Sequence, residues 1–349
     1  FFTLTVTAYS AEVNDSYRYF IVGNSERQEE LKLLFRDLES HGDQPENKFI
    51  IIQEITKKLH STGRLNLLNL FLTSYVEEHP QDPYNGYYLL VVAQNYLQED
   101  ATPFAIQYFE RILRNHIDLE VNGSSIHYIA LQNLIRLVTD PELKVGYYKS
   151  LLARFESRLD KSPIYYYLAK TYEELGEWDL AIQAYRNFLA HQHSKVPGVP
   201  NAAEQVRSII EFHDYPNKNW TMESLEDLVS TIKYAMWTRN ANLLNRYRAK
   251  VNFFSSSWEE EIAEADQSFL DALGSFLGQR IHYNRDLDRD SNNREAYLRT
   301  WGWSYRIKTW YLYFRRVDFP ADPEIHGQWE WGGIYFGEKP FVGTETPGR

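Results

Sequence analysis

The chain is predicted to be mainly α, with an α-solenoid of paired helices followed by a smaller α+β domain that carries an antiparallel, aromatic-rich sheet. Three observations carry this. One apolar spacing recurs four times at a period near 38 residues. After Arg280, helical periodicity gives way to aromatic and β-branched runs. Finally, 349 residues with 43% hydrophobic content are enough for two cores rather than one.

The clearest copy of the repeat runs from Ser162 to Leu189. Tyr165, Leu168, Ala169 and Tyr172 mark one helix face, Gly176 a turn, and Ala181 and Tyr185 the face of the next helix. Ala181 stands nine residues after Tyr172, and Tyr185 four after that. The same nine-and-four spacing recurs at Tyr96, Ala105 and Phe109, at Leu134, Leu143 and Tyr147, and at Leu59, Leu68 and Leu72. The anchors Leu59, Tyr96, Leu134 and Tyr172 are 37, 38 and 38 residues apart. A small side chain lets one helix cross its partner closely, and a large one fills the space beside it. Gly63 and Gly176, each four residues after an anchor, suit the left-handed turn between two helices, and Pro80 stops one pair.

Upstream, Ser25-Glu-Arg-Gln28 reads as a capping box opening a helix to about Leu38. Downstream, the prolines and glycine of 191–200 break the array, a helix from Ala202 to Phe212 closes it, and 214–219 reads as a boundary. The run YYYLAKTYEELGEWDLAIQAY, Tyr165 to Tyr185, resembles the tetratricopeptide repeat family, and the resemblance extends over 49–191. It implies a superhelix whose concave groove captures a protein partner. The expected organisation is therefore a signal-peptide remnant over 1–11, a repeat domain over 12–215 and an α+β domain over 220–342.

In that last domain a helix is expected from a cap at Thr221 to about Trp237, another over Asn240 to Lys250, a strand at Val251-Asn-Phe-Phe, and an amphipathic helix over Glu259 to Leu277. Fourteen aromatics then fall between Tyr297 and Phe341. Trp301, Trp303, Tyr305 and Ile307 alternate with Gly302, Ser304, Arg306 and Lys308, which predicts a strand with one wet face. Trp310 to Val317 is too continuous to assign faces, and a single helix over 294–316 competes with this strand reading. Gly332-Gly333, between Trp329-Glu-Trp331 and Ile334-Tyr-Phe336, predicts a hairpin. The stretch SLEDLVSTIKYAMWTRNANLLNRYRAKVNFFSSSW with the strands after it looks like the nuclear transport factor two-like, or SnoaL-like, fold over 220–340, which implies a cone with an apolar pocket.

A net charge of −11 argues against nucleic-acid partners, because it repels phosphate backbones. The absence of cysteine excludes disulfides, thiolate metal sites and a cysteine nucleophile. The first residues, FFTLTVTAYSAE, read as the end of a secretory signal with cleavage near Ser10 or Ala11. They give a periplasmic or otherwise exported expectation, with a first β-strand and a cytoplasmic setting as the alternative. No later run of about 18 apolar residues suggests a membrane span.

No catalytic constellation, cofactor motif or phosphate loop is recognisable. Asp286, Asp288 and Asp290 alternate as in a calcium loop, but Ser291 and Tyr297 stand where such a loop needs Gly and Glu, so a solvated charged loop is the favoured reading. His191-Gln-His193 lacks a third ligand. Were the second domain SnoaL-like in chemistry, His282, Asp286 and Tyr305 would be its candidates, though none fits a motif of that family. Asn14, Asn122 and Asn219 begin glycosylation triplets at about the number chance gives.

Two binding surfaces follow from these patterns. The helix face turned away from the packing stripe carries Tyr166, Lys170 and Glu173, then Tyr128, Gln132 and Arg136, and Gln94 with Leu90, a mixed aromatic and polar row suited to peptide capture. The other is the aromatic set Trp301, Trp303, Tyr305, Trp329 and Trp331, which could stack on a glycan or ring-shaped ligand or pack a core. The expected function is a non-enzymatic protein-binding scaffold or adaptor of a bacterial cell envelope, with small-ligand or glycan binding by the second domain as the alternative.

Overall fold

Asn24, not Ser25, caps the first helix: its Oδ1 accepts the Arg27 amide at 3.0 Å, while Gln28 Nε2 donates to the Gly23 carbonyl at 2.9 Å. Helix α1 (Ser25–Ser40) follows, so the capping signal sits one residue earlier than the Ser25 box implied. The computed structural model describes residues 15–40, 44–156, 159–191, 195–260, 262 and 265–340. It is mainly helical with a smaller five-stranded mixed sheet. The expected signal segment, 1–11, lies outside the described residues. Among those residues no helix is long and apolar enough to cross a membrane.

The chain divides into two compact units, 1–175 and 176–349. This division falls inside the strongest repeat copy, whereas the sequence places its boundary at 215 to 220.

In the first unit the helices are α2 (Pro45–His60), α3 (Leu65–Glu78), α4 (Asn85–Gln98), α5 (Thr102–Asn115), α6 (Ile126–Leu137), α7 (Pro141–Arg154) and α8 (Lys161–Glu174). Several starts are explained locally. Proline occupies the first turn of α2, α5 and α7, where its missing N–H costs nothing, and Ser125, Asp140 and Asp160 accept amides at the starts of α6, α7 and α8. Gly63, between α2 and α3, adopts φ +72°, the left-handed geometry expected of it. Between α5 and α6 the chain makes a small hairpin, β1 (Glu120–Val121) and β2 (Ser124–Ser125), whose Asn122-Gly123 turn has positive φ at both residues.

Each helix from α1 to α7 packs against the one that follows it. Most predicted positions lie in the core: Leu59, Leu68, Leu72, Ala105, Phe109, Leu134 and Tyr172 are buried, with Tyr96 and Tyr147 partly so. Leu143 departs from the pattern, being 46% exposed. Helix α7 instead buries Val145, Tyr148 and Leu151, a face turned from the one the spacing implied. Tyr147 sits at the edge of that face and donates its hydroxyl to Glu110 Oε1 at 2.7 Å. One polar contact pins α3 to α4, where buried Asn95 donates to buried Asn69 at 2.7 Å.

The second unit begins with α9 (Trp178–Leu189) and α10 (Ala202–Asp214), both expected in the repeat array. Ala181 and Tyr185 of α9 are buried. Helix α11 (Leu225–Trp237) is capped by Ser224, which accepts the Asp227 amide, and α12 (Ala241–Arg246) by Asn240. Thr221, the expected cap, instead donates its hydroxyl to Gln328 Oε1 at 2.6 Å. The long helix expected over Glu259 to Leu277 is replaced, among described residues, by α13 (Gln267–Ala272) and a 3-10 turn, Leu273–Gly278.

The sheet comprises β3 (Phe254–Ser257), β4 (His282–Tyr283), β5 (Glu295–Trp301), β6 (Thr309–Arg316) and β7 (Trp329–Phe336), in the order β3-β7-β6-β5-β4. Strand β3 runs parallel to β7 and the other pairings are antiparallel, so the sheet is mixed rather than antiparallel throughout. Strand β6 is central, which is why its sequence shows no wet face. Trp310, Leu312 and Phe314 enter the core with residues of α11 and α12, while Tyr311 and Tyr313 line the opposite face with Phe254, Tyr297 and Tyr335.

Two expectations for this sheet fail for physical reasons. The alternation across Trp301 to Ile307 is not a strand. The chain leaves β5 at Gly302, where φ is +92° and a Cβ would lie 2.6 Å from the Arg280 carbonyl oxygen. Trp303 then folds back to stack on Trp310, with ring centres 4.9 Å apart, and donates to Thr300 Oγ1 at 2.7 Å. Nor do Gly332 and Gly333 turn a hairpin, since both lie inside the continuous strand β7. A Cβ on Gly333 would stand 2.4 Å from the Phe254 ring, and one on Gly332 would stand 2.9 Å from Arg315 Nε. These glycines admit neighbours, not a turn.

Candidate functional site

The proposed groove row occupies equivalent places on three helices. Gln94 of α4, Gln132 of α6 and Lys170 of α8 are spaced 38 residues apart, and Gln94 and Gln132 are exposed while the Lys170 side chain is 42% exposed. One turn earlier the row closes inward: Leu90 is buried, Tyr128 is half-buried and Tyr166 is only 6% exposed. Tyr166 therefore belongs to the packing and not to an open surface, because the aromatic run Tyr165 to Tyr167 wraps the helix and one member must face inward.

The open groups bond along their own helices. Gln132 Nε2 donates to the Tyr128 hydroxyl at 2.7 Å, Arg136 donates to Asn133 Oδ1 at 2.7 Å, and Lys170 pairs with the partly buried Glu173 at 2.7 Å. Such i,i+3 and i,i+4 links hold long side chains upright at a modest gain of about 0.2–0.5 kcal/mol each. Two clefts of this unit, of about 250 and 390 Å³, lie elsewhere, lined chiefly by residues 16–20, α3 and the turn after it.

The aromatic set of the second unit separates into two groups. Trp303, Trp329 and Trp331 are 1%, 4% and 0% exposed and belong to the core, so they are not available to a ligand. Trp301 and Tyr305 do come together, lining a cleft of about 480 Å³ with Arg299, Ser304, Lys308 and Glu338. Trp301 stacks on His282 with planes 11° apart and carries the Arg299 guanidinium 5.6 Å from its ring. Tyr305 is 92% exposed. Arg299 Nη2 donates to Glu338 Oε1 at 2.5 Å and Thr309 Oγ1 donates to the same atom at 2.6 Å. These bonds, the one from Arg299 foremost, hold the Glu338 carboxyl below the usual carboxylate range.

His282, Asp286 and Tyr305 line no common cavity: Asp286 belongs to a different cleft and both His282 and Tyr305 are exposed. Asp288 and Asp290 of the alternating loop are answered from within the chain by Lys339. Among the described residues no group of three or more His, Asp or Glu is arranged to hold a metal ion. His193 lies outside those residues.

A third cleft was not anticipated. It has a volume of about 630 Å³ and is lined by one face of α10, including Gln205, Ile209 and Phe212, and by Arg315, Phe319 and Glu330. Glu330 is 2% exposed, and it accepts Arg315 Nε and Trp220 Nε1, each at 2.8 Å. Trp220 and Glu330 are 110 residues apart, so no local pattern could have paired them. No known protein-family profile matches this chain, and no curated protein matches it in sequence.

Proposed function

We propose that the chain is a non-enzymatic protein-binding scaffold or adaptor whose first unit is a tetratricopeptide-like array. The observation that carries this is the recurrence of helix pairs at 37 to 38 residues with a polar position at the same place in three successive repeats, exposed at Gln94 and Gln132 and partly exposed at Lys170. In nearest-neighbour helical arrays such equivalent positions form a continuous strip, and a strip of amides and cations recognises the backbone and acidic side chains of an extended peptide. Arg136 adds a second cation beside Gln132. Binding by this strip requires complementarity and no bond-breaking chemistry.

The test is affinity purification with the wild-type chain and an Arg136→Glu/Lys170→Glu variant, each shown to be folded by circular dichroism. Proteins recovered with the wild type should be lost from the variant. Retention of the same proteins by both chains would remove these residues from the binding surface.

A second reading, small-ligand or glycan binding, is favoured by the cleft that joins Trp301 to Tyr305. It concerns that cleft alone, since the other three tryptophans are core. Trp301→Ala should abolish a ligand-induced rise in melting temperature found by a glycan screen, and an unaltered rise would refute it.

A further inference from the structure

Four groups, Trp258, Asp288, Asp290 and Tyr297, hold the ammonium of Lys339. Its Nζ lies 4.3 Å from the centre of the Tyr297 ring and 5.5 Å from that of Trp258. Asp288 Oδ1 is 3.5 Å away and Asp290 Oδ2 is in direct contact. The Lys339 side chain is left 18% exposed. Two aromatic faces and two carboxylates around one ammonium constitute a cation cage: the ring quadrupoles attract the charge and the carboxylates accept its N–H groups.

The cage walls do not depend on the lysine for their placement. Trp258 stacks on Tyr335 with ring centres 4.1 Å apart and planes 9° apart, and donates Nε1 to the Gly337 carbonyl at 3.3 Å. Tyr297 is fixed in β5 opposite Tyr313. Beside the cage opens a cavity of about 700 Å³, lined by the loop 284–290, Tyr311 and Glu338. That volume is in the range of small-molecule sites, and its wall carries a further carboxylate, Asp286, along with the guanidinium residues Arg285 and Arg289.

We propose that this cage is a binding site for a primary ammonium, filled in cis by Lys339, and that a linear aliphatic diamine competes with that lysine for it. One ammonium takes the place of the Lys339 Nζ, the methylene chain runs into the cavity, and the second ammonium meets Asp286. The carboxylates select a primary over a quaternary ammonium, because only the former has N–H groups to donate. A tethered competitor acts at an effective concentration in the millimolar range, so the wild-type chain binds weakly by design of its own sequence.

The experiment is titration of the full chain with cadaverine, read by calorimetry and by Trp258 fluorescence. Lys339→Met should bind at least about ten-fold more tightly than wild type, the gain expected from removing a tethered competitor. Lys339→Gln serves as an independent second variant, and circular dichroism verifies the fold of each. Adding Asp290→Asn, at a residue whose side chain is 64% exposed, should reverse the gain. Tetramethylammonium should bind at least about ten-fold more weakly than cadaverine. In the wild-type chain, cadaverine at about 100 mM, well above the tether's effective concentration, should shift the Tyr297 ring resonances. The proposal is overturned if neither Lys339 variant gains affinity, if Asp290→Asn leaves the gain intact, if tetramethylammonium binds equally well, or if the Tyr297 resonances stay fixed.

Discussion

Arg315 reaches Glu330 across Gly332. The Nε donates to Glu330 Oε1 at 2.8 Å, and the guanidinium arm passes so close to Gly332 that any Cβ there would stand 2.9 Å from the same nitrogen. Glu330 is 2% exposed, and its other oxygen is taken by Trp220. Removing Arg315 therefore leaves a buried carboxylate with one neutral donor. Arg315→Met should cost about 2–4 kcal/mol in urea unfolding, and adding Glu330→Leu should recover most of that loss, because the deserted charge accounts for most of the cost. If Arg315→Met alone is silent, Trp220 satisfies the carboxylate without help.

Gly333 makes the parallel argument from packing alone. Its missing side chain lets the Phe254 ring of β3 lie against β7, and Gly333→Ala would place a methyl 2.4 Å from that ring. The ring is buried among Tyr313, Tyr335 and the strand, so it has little room to yield. Overpacking of this kind costs about 1–3 kcal/mol. A shift of the urea midpoint by less than the error of the measurement would show that β3 moves to accommodate the methyl.

These glycines mark where the sequence stops being legible. Helices declare themselves locally: the buried set Leu59, Leu68 and Leu72 follows from spacing alone, and Gly63 has the positive φ its position implied. The exposure of Gln94, Gln132 and Arg136 follows from the same periodicity. The meaning of Gly332 and Gly333 instead depends on Arg315 and Phe254, and that of Trp303 on Trp310, which are neighbours only after the sheet forms. Lys339 and Trp258 likewise meet only once the second unit has folded, as do Glu330 and Trp220. Tyr166 was misplaced for a smaller reason. Three consecutive tyrosines offer a helix three candidate faces, and spacing does not say which of them packing will take.

Helix α7 gives a direct test of register. The nine-and-four spacing points Leu143 inward, but Leu143 is 46% exposed while Leu151 is 4% exposed. Leu143→Ala should change stability by less than about 0.5 kcal/mol. Leu151→Ala should cost about 2–5 kcal/mol through lost burial and a residual cavity against Leu131 and Phe155. The opposite ranking in thermal or urea unfolding would rotate the helix back to the face the spacing implied.

A final prediction concerns acid. His127 is 5% exposed, with Nδ1 2.7 Å from Arg154 Nη1 and Nε2 2.9 Å from the His116 carbonyl oxygen. A guanidinium can only donate, so Nδ1 accepts and Nε2 carries the hydrogen, which fixes a neutral imidazole. Burial, aided by the Arg154 charge and opposed by Asp118 and the backbone bond, lowers the His127 pKa below its ordinary 6.5. The unfolded chain then takes up the proton first as the pH falls. Stability is fully present above about 6.5, declines below it, and levels off once the folded-state value is passed. His127→Gln offers the same acceptor and donor without titrating. Between pH 7.5 and pH 5.5 the wild type should therefore lose more of its melting temperature than this variant; the difference includes the part of the His116 shift that the His127 charge causes, because that charge is absent from the variant. Equal losses would mean that the Arg154 contact opens on protonation at no cost, and that the imidazole is not held neutral by the fold.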